Sequence, residues 1–334
     1  MNVWPLPRIS FRRLSTVDET RPAALITQSA TWANVNKSIK QLPLIIQAEP
    51  TRDDYDFVEY LAKNLPAPVQ VVYAVGDGLL IDVAKVAASI NNKPLIIIPT
   101  AVSSDAPYTW EALLHDAGSV TTEETGPATE VILDMELLKA APPETRASGI
   151  VEVLSIVTGL LDWGYAAQKN KTTPDTKLIP WALSLAAGLA SQGLKAAPAL
   201  AKNDPDALHT LIDLICMTVK LDSQLGHRRA SQGIEHIFAE VVTADPAVSH
   251  AERIGPGILL ASALYNKDTV SMRTALEAAG VRLNQIPQDA VKTAAHALPD
   301  YARKNDLPYS ILNDVTSDEI DQALTRSTLL ATST

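Results

Sequence analysis

The chain has 334 residues, 46% of them hydrophobic and 20% charged, which fits an ordered globular protein with a large core and room for two domains. A formal net charge of −10 leaves no basic face for a phosphate backbone and so argues against nucleic acid as the main partner. The single cysteine, Cys216, lies in an apolar helical run and excludes an internal disulfide, as expected for a small core residue in a reducing compartment.

The opening MNVWPLPRISFRRLS carries prolines and arginines where an export signal needs a continuous apolar segment, so a cytoplasmic location is expected. Short apolar runs at 23–27, 44–47, 71–75, 95–98 and 131–134 read as strands. Helical patterns cover 32–41 and 53–64 between them, the second with Thr51 as its expected cap. Such alternation predicts an α/β domain with a parallel sheet and crossover helices. Residues 115–130 are polar and read as a hairpin or loop excursion, and the domain ends near Pro142-Pro143.

The stretch 71–109 organises this half. Val71–Val75 is a β-branched run ended by Gly76-Asp77-Gly78, and from Leu79 the apolar residues recur at helical spacing up to Asn91-Asn92. A strand feeding a glycine turn and a helix start aims free N–H groups and a positive dipole end at whatever lies above it, typically a phosphate. The same two glycines also suit a turn that serves geometry alone. After the strand at 95–98, Thr100, Ser103, Ser104 and Asp105 follow at the end of the sheet where ligands bind, although such residues also make ordinary solvated turns.

From Arg146 onward the pattern is helical, with apolar-periodic segments at 147–169, 178–198, 205–226, 231–243, 250–266, 268–280 and 287–304. The most membrane-like stretch, 179–201, is interrupted by Gln192, Lys195 and Pro198 and reads as a buried helix, so no membrane partner is expected. The expected domains are 1–143 and 144–334, with the site in the cleft between them.

Six histidines are present. His236 lies beside the apolar face of SQGIEHIFAEVV, and His250 opens the helix HAERIGPGILLASALY. Either alone could be a packed structural histidine. Together with a carboxylate they form a common set for a divalent metal, leaving coordination positions open for a substrate oxygen. Glu152, in the apolar ASGIVEVLSIVTGLLDW, is the third candidate, since a lone carboxylate there would be costly. Arg146 is its alternative partner.

These segments resemble the metal-dependent polyol dehydrogenases and dehydroquinate synthases, in particular the glycerol dehydrogenase and glycerol-1-phosphate dehydrogenase branch of the iron-containing alcohol dehydrogenases. VGDGLLIDVAK is similar to the family segment under the cofactor pyrophosphate, keeping Asp82 and Lys85. IPTAVSSDAP resembles the loop whose threonine and serine face the nicotinamide and whose aspartate faces substrate hydroxyls. LDMELLKAAPPETRASGIVEVLS, GIEHIFAE, HAERIGPG and PYSILNDV resemble the ligand-bearing and C-terminal segments.

The resemblance implies a Rossmann-like first domain that binds NAD or NADP through Gly76, Asp77, Gly78, Asp82, Thr100 and Ser103. It implies one divalent metal, zinc with iron or nickel as alternatives, on Glu152, His236 and His250, and Asp105 as a catalytic residue. The implied substrate is a small polyol or polyol phosphate, and homo-oligomerisation stays open. Departures are Asp77 in place of the middle glycine, Glu152 in place of the dehydrogenases' aspartate, Ala251 for a glycine, Glu240 for a further histidine, and Ser155 and Ile156 where phosphate-handling relatives carry a lysine. They keep two alternatives in view, a dehydroquinate synthase-like lyase and a divergent member with reduced or lost activity.

Overall fold

A computed structural model describes residues 2–116, 119–245 and 247–330. The first of its two compact units is Trp4–Pro142. Its elements are β1 (Arg8–Phe11), β2 (Ala23–Thr27), α1 (Ser29–Val35), β3 (Leu44–Ala48), α2 (Tyr55–Lys63), β4 (Val71–Gly76), α3 (Leu79–Ile90), β5 (Leu95–Pro99), β6 (Glu111–Asp116), β7 (Ser119–Glu124), β8 (Glu130–Leu133) and α4 (Met135–Ala140).

Six strands form one parallel sheet in the order β1-β8-β5-β4-β2-β3. Strands β4 and β5 are buried at every residue, which explains their continuous apolar sequences. Alternate residues of neighbouring strands, Leu25, Val71, Tyr73, Val75, Ile96 and Ile98, pack into one core cluster. From β2 the chain leads outward to β3, whereas from β4 it leads inward to β5. The boundary between β2 and β4 is therefore the switch point at which open α/β sheets receive ligands. The register pairs Gly76 with Pro99, so the glycine turn and the loop after β5 leave the sheet side by side.

Several local expectations shift. The cap of α2 is Asp54, which accepts the Phe57 N–H at 3.1 Å, rather than Thr51, because a carboxylate in extended backbone one residue before the helix reaches the free donors directly. The helix expected over 32–41 starts at Ser29 and gives way at Asn36–Ser38 to a 3-10 turn, where Asn36, Lys37 and Ser38 supply no apolar face to bury. Strand β1 is additional, and so short and half-exposed that it has no apolar run to reveal it. The polar excursion is a hairpin, β6 with β7, that begins earlier, at Glu111; residues 117 and 118 of it lie outside the described residues.

From Pro143 onward the second unit is helical: α5 (Pro143–Gln168), α6 (Pro180–Leu200), α7 (Pro205–Leu225), α8 (Ile234–Val241), α9 (His250–Leu264), α10 (Thr269–Ala278), α11 (Gln288–Lys304) and α12 (Ser317–Arg326). The described helix long and apolar enough to cross a membrane is α5, not the 179–201 stretch. Within its unit α5 is largely buried, with α6, α7 and α9 packed on it. Its apolarity is that of a helix enclosed by other helices. Cys216 is buried in α7, and burial pushes its thiol up to about 12. Helix α12 is additional; its polar sequence hides a narrow buried stripe of Ile320, Ala323 and Leu324 behind a Thr316/Glu319 capping box.

Candidate functional site

In the helical unit, Glu152, His236 and His250 converge, with one ligand atom from each lying within 4.8 Å of the others. Their elements explain the meeting. Ser148, one turn before Glu152 on α5, takes the Ala251 N–H at 3.3 Å and so docks the start of α9 beside Glu152. The Ser249 N–H donates to the Glu252 carboxylate at 2.8 Å, which holds the chain at that start and fixes the direction of His250. Helix α8 is placed by Asp162, ten residues beyond Glu152 on α5, which accepts the Ile234 N–H at 2.9 Å.

His250 Nε2 lies 2.5 Å from Glu152 Oε1, and His236 Nε2 lies 3.5 Å from Glu152 Oε2. His236 Nδ1 faces Glu235 Oε1 at 2.8 Å. Burial alone would raise the Glu152 carboxyl, but the nearby imidazoles of His236 and His250, the latter hydrogen-bonded to it, outweigh burial and hold it well below the usual carboxylate range. Burial works against charge on His236 too, yet the flanking carboxylates of Glu152 and Glu235 carry it up to about 10. Arg146, the alternative partner, is six residues from Glu152 and so on a different face of α5; Glu152 is engaged by the histidines instead.

The set fits a divalent cation. His236 Nε2 is buried and has no hydrogen-bond partner, although it is aimed at Glu152. Two imidazoles and a carboxylate are donors suited to zinc, iron or nickel. A cavity of about 270 Å³ adjoins His236 within the same unit, lined among others by Asp162, His227, Arg228, Glu240 and Leu307. Asp162 is a functional candidate that the sequence did not single out. Burial pushes its carboxyl up to about 7, opposed by the Tyr265 hydroxyl at 2.5 Å and reinforced by the charge of Glu235.

In the α/β unit, Gly76 and Gly78 take φ values of +150° and +56°, which only glycine adopts without strain, and α3 starts directly after them. Asp77 between them accepts a hydrogen bond from the Ser103 hydroxyl at 3.0 Å, tying the turn to the loop after β5. The Thr100 N–H donates to the Gly76 carbonyl at 3.1 Å and reinforces that tie. Asp105 lies on the same loop, half-buried. Asp82 is buried on α3, its carboxylate 3.8 Å from the Lys85 ammonium. Lys85 itself is enclosed, donating to Thr109 Oγ1 at 2.6 Å and the Glu111 carbonyl at 2.8 Å. A pocket at the turn is lined by Gln28, Glu49, Thr51, Asp77 and Leu79, among others. Glu49 carries no periodicity or motif that would have marked it; it is the fold that brings the end of β3 to the switch point.

Residues 12–142 match the family model of iron-containing alcohol dehydrogenases. Glycerol-1-phosphate dehydrogenase of Thermococcus kodakarensis, NAD(P)+-linked by name, is 28% identical over 216 residues, 64% of this chain and 60% of its own length. The corresponding enzyme of Methanococcoides burtonii is 28% identical over 226 residues, 67% of this chain and 62% of its own. The match thus spans about three-fifths of the length of these curated relatives. Among solved structures, a probable glycerol dehydrogenase from Sinorhizobium meliloti superposes with a TM-score of 0.73 at 15% identity, covering 98% of both chains. Sulfoacetaldehyde reductase from Bifidobacterium kashiwanohense, solved with NAD+, gives 0.69 at 17% identity and covers 100% of both. A parallel sheet with a glycine turn at its switch point, followed by a helical unit in which a carboxylate meets two histidines, accords with these matches: residues 12–142 are similar in sequence to the iron-containing alcohol dehydrogenases, and the chain shares the fold of these solved structures.

Proposed function

We propose that the protein is a metal-dependent, NAD(P)-linked dehydrogenase that interconverts a small polyol, of the glycerol or glycerol-1-phosphate type, and its ketone. The observation that carries this reading is the convergence of Glu152, His236 and His250 from three helices on one point. When bound, a divalent cation supplies Lewis-acid polarisation of a substrate oxygen, and the nicotinamide supplies the hydride acceptor or donor.

The chain's own residues do the rest. Glu152, His236 and His250 hold the cation with open positions left for a substrate oxygen. The Gly76–Gly78 turn and the start of α3 receive the pyrophosphate. Thr100 and Ser103 face the nicotinamide, and Asp105 orients a vicinal hydroxyl. The pocket at the turn favours NAD over NADP: its described lining includes the Glu49 carboxylate and no cation, which suits a ribose hydroxyl and repels a 2′-phosphate. Asp77 supports a second reading, in which the metal site persists and the cofactor is held weakly, because its carboxylate lies in the phosphate turn itself.

The test is metal analysis of the purified protein together with a nicotinamide absorbance assay over glycerol, glycerol-1-phosphate, dihydroxyacetone and dihydroxyacetone phosphate. Turnover of one pair supports the dehydrogenase; bound metal without nicotinamide binding supports the second reading; neither metal nor nicotinamide binding rejects both.

A further inference from the structure

Glu235 is 0% exposed, and a carboxylate so enclosed is costly unless every oxygen is paired. Its oxygens are paired. Oε1 accepts the Gly233 N–H at 2.7 Å and faces His236 Nδ1 at 2.8 Å, while Oε2 takes the Thr158 hydroxyl at 2.5 Å. Side chains of consecutive helical residues normally diverge by about 100°. Here they meet because α8 begins at Ile234, and Glu235 folds back over the free N–H groups before it.

The carboxylate is also shut in from α9. A Cβ on Gly257 would lie 2.7 Å from the Glu235 Cα and 2.9 Å from its carbonyl oxygen, so α9 packs against the first turn of α8 as closely as a glycine allows. That is the helix whose first residue is His250.

An imidazole nitrogen facing a buried carboxylate carries hydrogen, which leaves the opposite nitrogen to give its lone pair to a cation. His236 Nε2 is that opposite nitrogen, the buried atom without a hydrogen-bond partner near Glu152. We infer that Glu235 is the positioning residue of the metal centre: held by Thr158 and the Gly233 N–H, it fixes the His236 ring and directs Nε2 toward the point shared with Glu152 and His250. This inference rests on the metal reading proposed above.

The test is a titration of chelator-stripped protein with zinc in competition with a metal indicator, on wild type, Glu235→Ala and Glu235→Gln. Glu235→Ala is expected to weaken zinc binding about 10- to 100-fold, the range for loss of an outer partner of a ligating histidine. Glu235→Gln should keep affinity within about fivefold, because its carboxamide oxygen can still accept from Gly233 and His236 while its N–H donates to Thr158, whose hydroxyl can turn to the Ser155 carbonyl 2.9 Å away. Zinc affinity of Glu235→Ala within twofold of wild type overturns the inference, as does equal loss in the alanine and glutamine variants. Should the alanine variant fail to fold, nitrogen NMR of zinc-loaded wild type decides: metallation of His236 at Nε2 supports the inference and metallation at Nδ1 overturns it. Absence of zinc binding by wild type itself would instead reject the metal reading, and this inference with it.

Discussion

His250 places its Nε2 2.5 Å from Oε1 of Glu152, although the two residues are 98 apart in the chain. The contact joins the first residue of α9 to the third turn of α5, and His236 closes the group from α8. Replacing either histidine by alanine removes a donor without touching the apolar contacts of α5. His236→Ala is expected to weaken divalent-metal binding more than about 100-fold, beyond what loss of an outer partner costs. Metal-dependent turnover should fall to background while the circular dichroism spectrum stays close to wild type.

Asp77 sets the expected weakness of the cofactor site. Its carboxylate stands between the two glycines that shape the turn, and a like charge near a pyrophosphate costs on the order of 1 kcal/mol in a solvated site. Asp77→Gly is therefore expected to tighten NADH binding about fivefold at low ionic strength, with a smaller gain in high salt. A fluorescence titration reads both; looser binding in the variant would show that the bond to Ser103 is what shapes the turn.

Glu49 is expected to discriminate between the two nicotinamide cofactors. The Ser29 hydroxyl 2.5 Å away holds its carboxyl below the usual carboxylate range, so it is charged at neutral pH. NADH should bind about tenfold or more tightly than NADPH, and Glu49→Arg should reverse the order. Equal dissociation constants for the two cofactors in wild type would remove Glu49 from this role.

Asp162 makes stability fall toward alkaline pH. Burial raises its carboxyl from 3.8 to about 7, so the folded chain binds this proton more tightly than the unfolded chain does. Its contribution favours the fold below about pH 4 and is lost as pH rises through about 7. Relative to Asp162→Asn, wild type is expected to lose roughly 2–4 kcal/mol of unfolding free energy between those limits. Urea unfolding of both proteins across that range measures the difference, and a constant difference would contradict the assignment.

Glu19 acts in the opposite direction at the acid end. Its carboxylate takes Arg21 Nη2 at 2.7 Å and Nε at 2.9 Å and the Tyr73 hydroxyl at 3.0 Å, and the Arg21 hydrogen bond above all lowers it from 4.5 to about 2. The stability it contributes is present above about pH 4.5 and is lost as pH falls through about 2. Arg21 is partly exposed, so solvent screening reduces the contribution to about 1–2 kcal/mol. Glu19→Gln should lose that amount at pH 7 and almost nothing near pH 2.

Much of the fold was legible because its signals are local. Val71–Gly76 and Leu95–Pro99 are continuous apolar strands, and the long helices from Pro143 onward carry sustained periodicity. What escaped was decided by tertiary partners. Arg8–Phe11 becomes a strand only because β8 pairs with it, and Ser317–Arg326 a helix because three residues find a buried seat. Among candidate site residues, Glu152, His236 and His250, whose side chains converge, were readable as a possible set from residue chemistry in an apolar setting. Glu235 was not: the dipeptide Glu235-His236 looks like an ordinary helical pair, and only the chain reversal before α8 turns the two side chains together. The Asp77 bond to Ser103 was equally hidden, since it depends on the register of β4 with β5.

The most direct measurement is nicotinamide reduction by the purified protein over glycerol and glycerol-1-phosphate, before chelation, after chelation and after return of zinc, iron or nickel. Reduction with one of these polyols that disappears on chelation, returns with a divalent metal and is absent in His236→Ala is the expected result. No reduction with either polyol by the metal-loaded protein, or reduction that persists through chelation and through His236→Ala, would contradict a polyol dehydrogenase built on Glu152, His236 and His250.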